Sequence, residues 1–162
     1  MSGTIEPKIT DRIYLDTDVF IEAFEGRGRL RVLLQSFLPM EPVRIPQRLV
    51  TSELTLSELL VRPLELQRDD LINVYDNWMI TNPYLEIVPI DRGVLFKAAL
   101  LRAKSKSLKL PDAIHLTTAQ EMNCRYFLTN DDRIKGPHGV EILALDEINI
   151  EAFLNGVANA TF

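Results

Sequence analysis

Four acidic residues that are far apart in the sequence fall where an α/β fold gathers its functional side chains. Asp16 and Asp131 each follow a short segment that predicts a strand, and Glu58 and Asp112 lie in the first turns of predicted helices. The carboxyl ends of parallel strands and the starts of the helices that follow them share one edge of a sheet. We therefore expect the four carboxylates to meet at that edge.

Carboxylates that meet in this way repel one another unless a cation lies among them. Oxygen ligands without a His or Cys partner favour Mg²⁺ or Mn²⁺ over zinc. In phosphodiester hydrolysis such ions activate a water molecule and stabilise the charge that builds on the phosphate. The four acids therefore predict a metal-dependent hydrolytic site, with Asp16 as its first ligand.

Each acid also has a structural alternative, which the residues taken singly leave open. Asp16 and Asp18 suit the cap of the helix that begins near residue 19, and Thr55–Glu58 matches a capping box. Asp112 follows a proline, and this pair is favourable in the first turn of a helix. Asp131 lies in a polar turn, where aspartate is common for backbone reasons.

Short apolar segments alternate along the chain with segments of helical periodicity. This alternation predicts an α/β fold in which helices cover both faces of a parallel sheet. The predicted strands are 13–15, 49–51, 85–90, 125–129 and 141–145. The predicted helices are 18–38 with a break near 26–28, 55–61 ending ahead of Pro63, 68–79, 93–104, 113–122 and 147–157. Prolines at 39, 42 and 46 predict little regular structure in that stretch.

The composition is that of an ordinary globular domain. The 162 residues fit one domain, and 46% of them are hydrophobic and 25% charged. No apolar run approaches the roughly 20 residues that span a bilayer. The lone Cys124 excludes an internal disulfide and suits a reducing cytoplasm. The net charge of −5 argues against a general nucleic-acid binder, but bound metal ions reverse the sign at an acidic site, so a nuclease is not excluded.

The acids belong to four short motifs, which are Leu15-Asp16-Thr17-Asp18-Val19-Phe20-Ile21, Thr55-Leu56-Ser57-Glu58-Leu59-Leu60, Leu110-Pro111-Asp112-Ala113-Ile114-His115-Leu116 and Phe127-Leu128-Thr129-Asn130-Asp131. In this order the motifs resemble those of PIN-domain proteins, and best of all those of the VapC-type toxins and their relatives. The resemblance spans about residues 12 to 145, which is nearly the whole chain. Any one motif is unspecific, whereas four in the right order are a strong signal.

The resemblance implies a single domain over residues 1–162 with a three-layer α/β/α fold, in which the first strand is central in the parallel sheet. It implies a Mg²⁺- or Mn²⁺-dependent endoribonuclease that is the toxin of a type II toxin–antitoxin system. RNA is then the substrate, a small antitoxin protein is a partner, and a homodimer is the expected assembly. The apolar stripe around Trp78 is core or the dimer surface.

The resemblance also assigns roles to individual residues. Three of the acids match the family's most characteristic ones, and Asp131 matches a more variable fourth. Asp18 stands where many relatives have Asn or Ser, so an extra charge lies beside the site, where it could support a metal through water or weaken phosphate binding. The residues implied for catalysis and metal binding are Asp16, Glu58, Asp112 and Asp131, with Thr17, Asp18 and Thr129 in support.

Other polar residues have weaker functional interpretations. His115, three residues after Asp112, could point near the site, but a histidine packed between layers is more often structural. Basic residues could guide an RNA backbone, although most are expected to be solvated surface charges. These residues are Arg27, Arg29, Arg31, Lys104, Lys106 and Lys109.

Two other functions stay open on the sequence alone. One is a PIN-like protein that binds RNA or a partner without cleavage, and the presence of all four acids argues against it. The other is a phosphoacceptor signalling domain, which needs an Asp at the end of its third strand and a Lys after its fifth. Here Asp91 begins a helix and Asp146-Glu147 follow the fifth predicted strand, so the pattern does not fit.

Overall fold

The computed structural model describes residues 5–39 and 48–158, in which strands and helices alternate as predicted. Most of the proline-rich stretch at 39–46 lies outside the described residues. The strands are β1 Arg12–Leu15, β2 Leu49–Ser52, β3 Leu85–Val88, β4 Cys124–Thr129 and β5 Glu141–Ala144. The helices are α1 Thr17–Glu25, α2 Gly28–Phe37, α3 Glu53–Glu65, α4 Asp69–Trp78, α5 Arg92–Lys104, α6 Leu110–Glu121 and α7 Glu147–Ala158.

The five strands form one parallel sheet in the order β3-β2-β1-β4-β5. β1 is central, with Ile13 opposite Leu49 of β2 and Tyr14 opposite Phe127 of β4. The chain first builds the sheet outwards from β1 to β3 and then returns to add β4 on the other side. This reversal places a crevice between the carboxyl ends of β1 and β4, where open α/β sheets bind their ligands.

Helices cover both faces of the sheet because its central strand is apolar on both sides. Ile13 and Leu15 lie in a core that α1, α2, α3, α4 and α7 complete. Tyr14 lies on the opposite face, with Phe127 and with Leu116 of α6. α5 in turn packs on α6. The predicted three-layer α/β/α fold with a central first strand is therefore confirmed.

α3 differs from its prediction at both ends. It begins at Glu53 rather than near Thr55, because the Ser52 hydroxyl accepts a hydrogen bond from the Leu54 N–H at 3.1 Å and caps the helix. It also continues through Pro63 to Glu65, although an internal proline removes one helical hydrogen bond. Pro63 is buried in the structure.

α4 packs its predicted apolar stripe against α1. The Trp78 ring lies 5.4 Å from that of Phe24, and the Tyr75 ring lies 5.9 Å from it, measured between centroids. This stripe therefore belongs to the core. No helix within residues 5–39 and 48–158 has the length and apolar content needed to cross a bilayer.

Candidate active site

Asp16 directly follows β1 and lies at the carboxyl edge of the sheet. Its Oδ1 accepts a hydrogen bond from the Thr17 N–H at 2.9 Å, so Asp16 is the N-cap of α1. Its Oδ2 accepts from Thr129 Oγ1 at 2.7 Å, and its side chain is 13% exposed. Asp16 can therefore cap α1 and also belong to the site, because the capping hydrogen bond orients its carboxylate at the edge of the sheet.

Thr129, the last residue of β4, connects Asp16 to Asp131. Its hydroxyl donates to Asp16 and accepts from the Asp131 N–H at 3.1 Å. Asp131 turns towards Arg133, whose guanidinium donates to both carboxylate oxygens at 2.9 Å. These bonds, with one from the Arg133 N–H, lower the pKa of Asp131 to about 2. Asp131 thus lies at the predicted edge, but a residue of its own loop balances its charge.

Glu58 lies in the second turn of α3, where two donors hold its Oε2. Thr17 Oγ1 donates to this oxygen, and Nε2 of His115 lies 2.7 Å from it. Burial acts to raise the pKa of Glu58, but the hydrogen bonds from His115 and Thr17 outweigh it, and the pKa falls below its ordinary value. The capping-box interpretation of Glu58 is wrong, because Ser52 caps α3 and Thr55 is buried inside it.

Asp112 and Asp18 lie in the first turns of α6 and α1. Burial raises the pKa of each, and the negative charge of Asp16 raises it further, with smaller effects from Asp131 and Glu58. Such effects require the carboxylates to be near one another. Thr17 contacts both Asp16 and Glu58, and Thr129 contacts both Asp16 and Asp131. Asp112 lines one cleft with Asp131. We call these four acids, with Asp18, the acidic cluster.

The chemistry of the acidic cluster fits a hard divalent cation, since carboxylate oxygens are the donors that Mg²⁺ and Mn²⁺ prefer. Among the residues that the structure describes, no three His, Cys, Asp or Glu side chains are arranged closely enough to hold one ion together. Two of the acids instead face partners within the protein, Glu58 towards His115 and Asp131 towards Arg133. A cation that used all four acids would draw Asp131 away from Arg133.

A cleft of about 420 Å³ opens beside the acidic cluster, between the end of α5 and the loop that follows β4. Asp112 and Asp131 line it, together with Lys109, Arg133 and Lys135. Basic side chains next to a group of acids suit a polyanion, because they can hold phosphates that border the reacting one. Lys109 was among the basic residues named from the sequence, whereas Arg133 and Lys135 were not. Their position within four residues of Asp131 was the available signal.

His115 makes polar contacts that its position in the sequence did not predict. It is 1% exposed, its Nδ1 lies 2.7 Å from the Tyr14 hydroxyl, and its Nε2 lies 2.7 Å from Glu58. Nε2 also lies 4.0 Å from Asp16 Oδ1. The interpretation of His115 as a buried residue between layers is confirmed, but it omits these polar contacts. Its signal was the three-residue spacing from Asp112, which puts both on one side of a helix.

A family model of the PIN domain matches residues 13–137, a range that contains all four predicted acids. The chain belongs to the PIN domain family. The resemblance that the four motifs indicated is therefore confirmed. No curated protein matches this PIN domain in sequence.

Solved structures of toxin–antitoxin proteins share the fold of this PIN domain. A toxin–antitoxin complex from Klebsiella pneumoniae is 26% identical, with a TM-score of 0.57 over 80% of this chain and 95% of that chain. VapBC2 from Rickettsia felis, bound to a DNA fragment from its promoter, is 17% identical, with a TM-score of 0.62 over 82% and 98%. FitAcB from Neisseria gonorrhoeae is 23% identical, with a TM-score of 0.54 over 74% and 87%. The last two support the fold alone.

Proposed function

We propose that this PIN domain is a Mg²⁺- or Mn²⁺-dependent endoribonuclease and the toxin of a type II toxin–antitoxin system. The observation that carries the proposal is the acidic cluster, in which Thr17 contacts both Asp16 and Glu58, and Thr129 contacts both Asp16 and Asp131. Asp112 lines the adjoining cleft with Asp131. The four acids lie in the ordered motifs of a family whose members are generally nucleases. A structure that is 26% identical to the chain is a toxin–antitoxin complex.

Asp16 and Asp112 would hold the cation, with Glu58 and Asp131 joining directly or through water. The cation, when bound, supplies an activated water and offsets the charge that builds on the phosphate. Burial is the largest cause of the raised pKa values of Asp18 and Asp112, and repulsion from the neighbouring carboxylates raises them further, which supports this assignment. A divalent ion relieves that repulsion.

Thr17 and Thr129 keep Asp16 in one orientation. Each oxygen of Asp16 accepts one hydrogen bond, from the Thr17 N–H and from the Thr129 hydroxyl. The Thr17 hydroxyl also donates to Glu58, so the same residue orients two acids. Carboxylates that are oriented before substrate binds do not have to reorganise during the reaction. We therefore retain both threonines as supporting residues.

An RNA phosphate would approach through the basic side of the cleft. Lys and Arg contacts to phosphates fix the position of a nucleic acid without reading its sequence. The Arg133 side chain is 77% exposed and already binds a carboxylate with two hydrogen bonds, a geometry that phosphate also accepts. An RNA phosphate that binds Arg133 would release Asp131 for the cation.

Cleavage of a mixed RNA pool tests the proposal. Purified protein is incubated with Mg²⁺, with Mn²⁺ or with a chelator, and the products are separated on a denaturing gel. We expect cleavage with either ion and none with the chelator. We expect Asp16→Asn to abolish cleavage while circular dichroism shows an intact fold, and Asp76→Asn, at an exposed acid of α4, to cleave normally. Normal cleavage by Asp16→Asn would refute the role of that residue.

The same experiment separates the alternatives. RNA that is bound but not cut, with no uptake of Mn²⁺ in a calorimetric titration, would replace the nuclease by a PIN-like binding protein. For the phosphoacceptor domain the structure offers no favourable observation. β3 is an edge strand, and Asp91 Oδ1 accepts from the Val94 N–H at 2.8 Å as the cap of α5.

We propose a small antitoxin protein as a partner, a homodimer as the assembly and the cytoplasm as the location. The 26% identical toxin–antitoxin complex supports the first, and the single cysteine supports the last. For the dimer, α5 exposes an apolar surface at Leu95, Phe96 and Leu100, whereas Trp78 contributes to the core. Light scattering should show a dimer, and Phe96→Glu should show a monomer. A wild-type monomer at micromolar concentration would remove the dimer.

A further inference from the structure

Two buried side chains connect Glu58 to the central strand of the sheet. Nε2 of His115 lies 2.7 Å from Glu58 Oε2, and Nδ1 lies 2.7 Å from the Tyr14 hydroxyl. His115 is on α6 and 1% exposed, and Tyr14 is on β1 and 0% exposed. Both nitrogens of the imidazole are therefore occupied by polar side chains inside the protein.

The carboxylate determines where the imidazole carries its proton. An ionised Glu58 only accepts hydrogen bonds, so Nε2 of His115 is the donor at 2.7 Å. In a neutral ring Nδ1 accepts from the Tyr14 hydroxyl, and in a charged ring Nδ1 donates to it. A hydroxyl can both donate and accept a hydrogen bond. The Tyr14 hydroxyl can therefore pair with Nδ1 in the neutral and in the charged ring, and Nε2 is the donor to Glu58 in both.

Tyr14 is itself fixed by the core. Its ring is stacked on that of Phe127, with 5.1 Å between centroids and 9° between planes. These two residues are register partners on β1 and β4, the adjacent strands at the centre of the sheet. A functional side chain that is supported by rigid strands is held more accurately than one supported by a loop.

We propose that His115 and Tyr14 are positioning residues for Glu58. His115 and Thr17 hold Oε2 and Tyr14 holds His115, so that Oε1 is the oxygen left for a cation. The inference rests on the proposed function, because it takes Glu58 as a metal-binding residue. If His115 only filled the space between the sheet and α6, an apolar side chain of similar size would replace it without a functional effect.

Variants of the two histidines separate positioning from packing. His115→Leu fills the space but donates nothing, His115→Gln restores an N–H donor, and His138→Gln is the control at an exposed histidine. We expect His115→Leu to weaken Mn²⁺ binding in calorimetry by about tenfold or more. It should lower kcat for RNA cleavage by a similar factor and leave KM unchanged. His115→Gln should recover most of both losses, and His138→Gln should match the wild type.

A second variant tests the proposal in case His115→Leu does not fold. Tyr14→Phe removes one oxygen atom and keeps the stacked ring, and we expect it to weaken Mn²⁺ binding in the same direction as His115→Leu. Tyr126→Phe is the matched control, since its buried ring lies on the other face of the sheet. The chain has two histidines, so ¹⁵N NMR of the imidazoles resolves His115. Its Nε2 should carry a proton in the wild type.

The outcomes distinguish this inference from the nuclease itself. If the wild type binds Mn²⁺ and cleaves RNA, and both His115→Leu and Tyr14→Phe do so with equal affinity and rate, the positioning role is refuted and the nuclease stands. If the wild type neither binds Mn²⁺ nor cleaves, the proposed function fails and the positioning role fails with it. An NMR spectrum in which Nε2 of His115 carries no proton overturns the assigned hydrogen bond in both cases.

Discussion

Replacement of Thr129 by valine removes one hydroxyl from the acidic cluster and keeps the shape of the side chain. Thr129 is 2% exposed at the end of β4, where a β-branched residue is well accommodated. Its hydroxyl donates to Asp16 Oδ2 at 2.7 Å and accepts from the Asp131 N–H at 3.1 Å. Thr129→Val therefore deletes both hydrogen bonds and leaves a carboxylate oxygen and an N–H without this partner.

The two lost hydrogen bonds determine the size of the effect. A hydrogen bond to a charged group contributes about 1.5–3 kcal/mol, and one between neutral groups contributes about 0.5–1.5 kcal/mol. The side chain of Asp16 is 13% exposed, so water replaces the lost donor only in part. We expect the free energy of unfolding to fall by about 2–3 kcal/mol. For a domain of this size the Tm then falls by about 4–12 °C.

Urea unfolding followed by circular dichroism, with a chelator present, measures this difference. Thr118→Val is the matched control, because Thr118 is 1% exposed and its hydroxyl donates to the carbonyl oxygen of Ile114 in its own helix, a bond that adds little stability. Thr129→Ser keeps both hydrogen bonds and should lose only about 1 kcal/mol for the missing methyl group. If Thr129→Val is as stable as Thr118→Val, the Thr129 hydroxyl does not hold Asp16.

Three further predictions concern charge and burial. Arg133→Gln should bind Mn²⁺ more tightly in calorimetry, because it frees Asp131. It should also raise KM for RNA by about tenfold, because a phosphate contact is lost. An unchanged Mn²⁺ affinity and KM would contradict the use of Arg133 by both Asp131 and RNA. The fold raises the pKa of Asp18, so its charge lowers stability once the pH exceeds that pKa, and Asp18→Asn should raise the Tm of the metal-free protein at neutral pH. That gain should disappear as the pH falls to the ordinary value of 3.8, and a Tm that does not rise at neutral pH would refute the prediction. Burial raises the pKa of the Cys124 thiol to about 12. Ellman's reagent should therefore label the folded protein at least about a hundredfold more slowly than the unfolded protein. Equal labelling rates would show that the thiol is accessible.

β1 shows which parts of the fold could be predicted. Ile13 to Leu15 are apolar in succession, a pattern that fits a strand covered on both faces. The alternation of strands and helices then indicates a parallel sheet. The family resemblance implies the central position of β1, and the apolar residues on both of its faces fit that position. Strand order depends on pairs such as Tyr14 and Phe127, which are distant in sequence, and no local pattern encodes them.

α3 shows how a local pattern can mislead. Thr55 and Glu58 have the spacing of a capping box, but the Thr55 hydroxyl lies 2.7 Å from that of Thr51 in the buried layer. Ser52, three residues earlier, became the cap. Glu58, which would be the reciprocal cap in such a capping box, contacts Thr17 and His115 instead. Tertiary contacts thus determined which of the two residues, Ser52 or Thr55, caps the helix.

The acids of the candidate site could be predicted, but most of their partners could not. An acid after a strand is recognisable from its type and position, whereas an ion pair depends on which chain segments meet. Arg29 was a candidate for RNA contact, yet it pairs with Glu147 and Glu151 of α7. Arg133, which was not named, lies in the cleft. A basic residue in a sequence does not reveal which anion it will meet.

The register of β1 with β4 also determines when, during translation, the acidic cluster can form. Tyr14 and Phe127 are register partners 113 positions apart, so a ribosome must extrude the chain beyond β4 before Asp16 can reach Thr129. A nascent or prematurely terminated product that ends before β4 has no assembled acidic cluster. The acidic cluster can therefore assemble only in copies whose synthesis has passed β4.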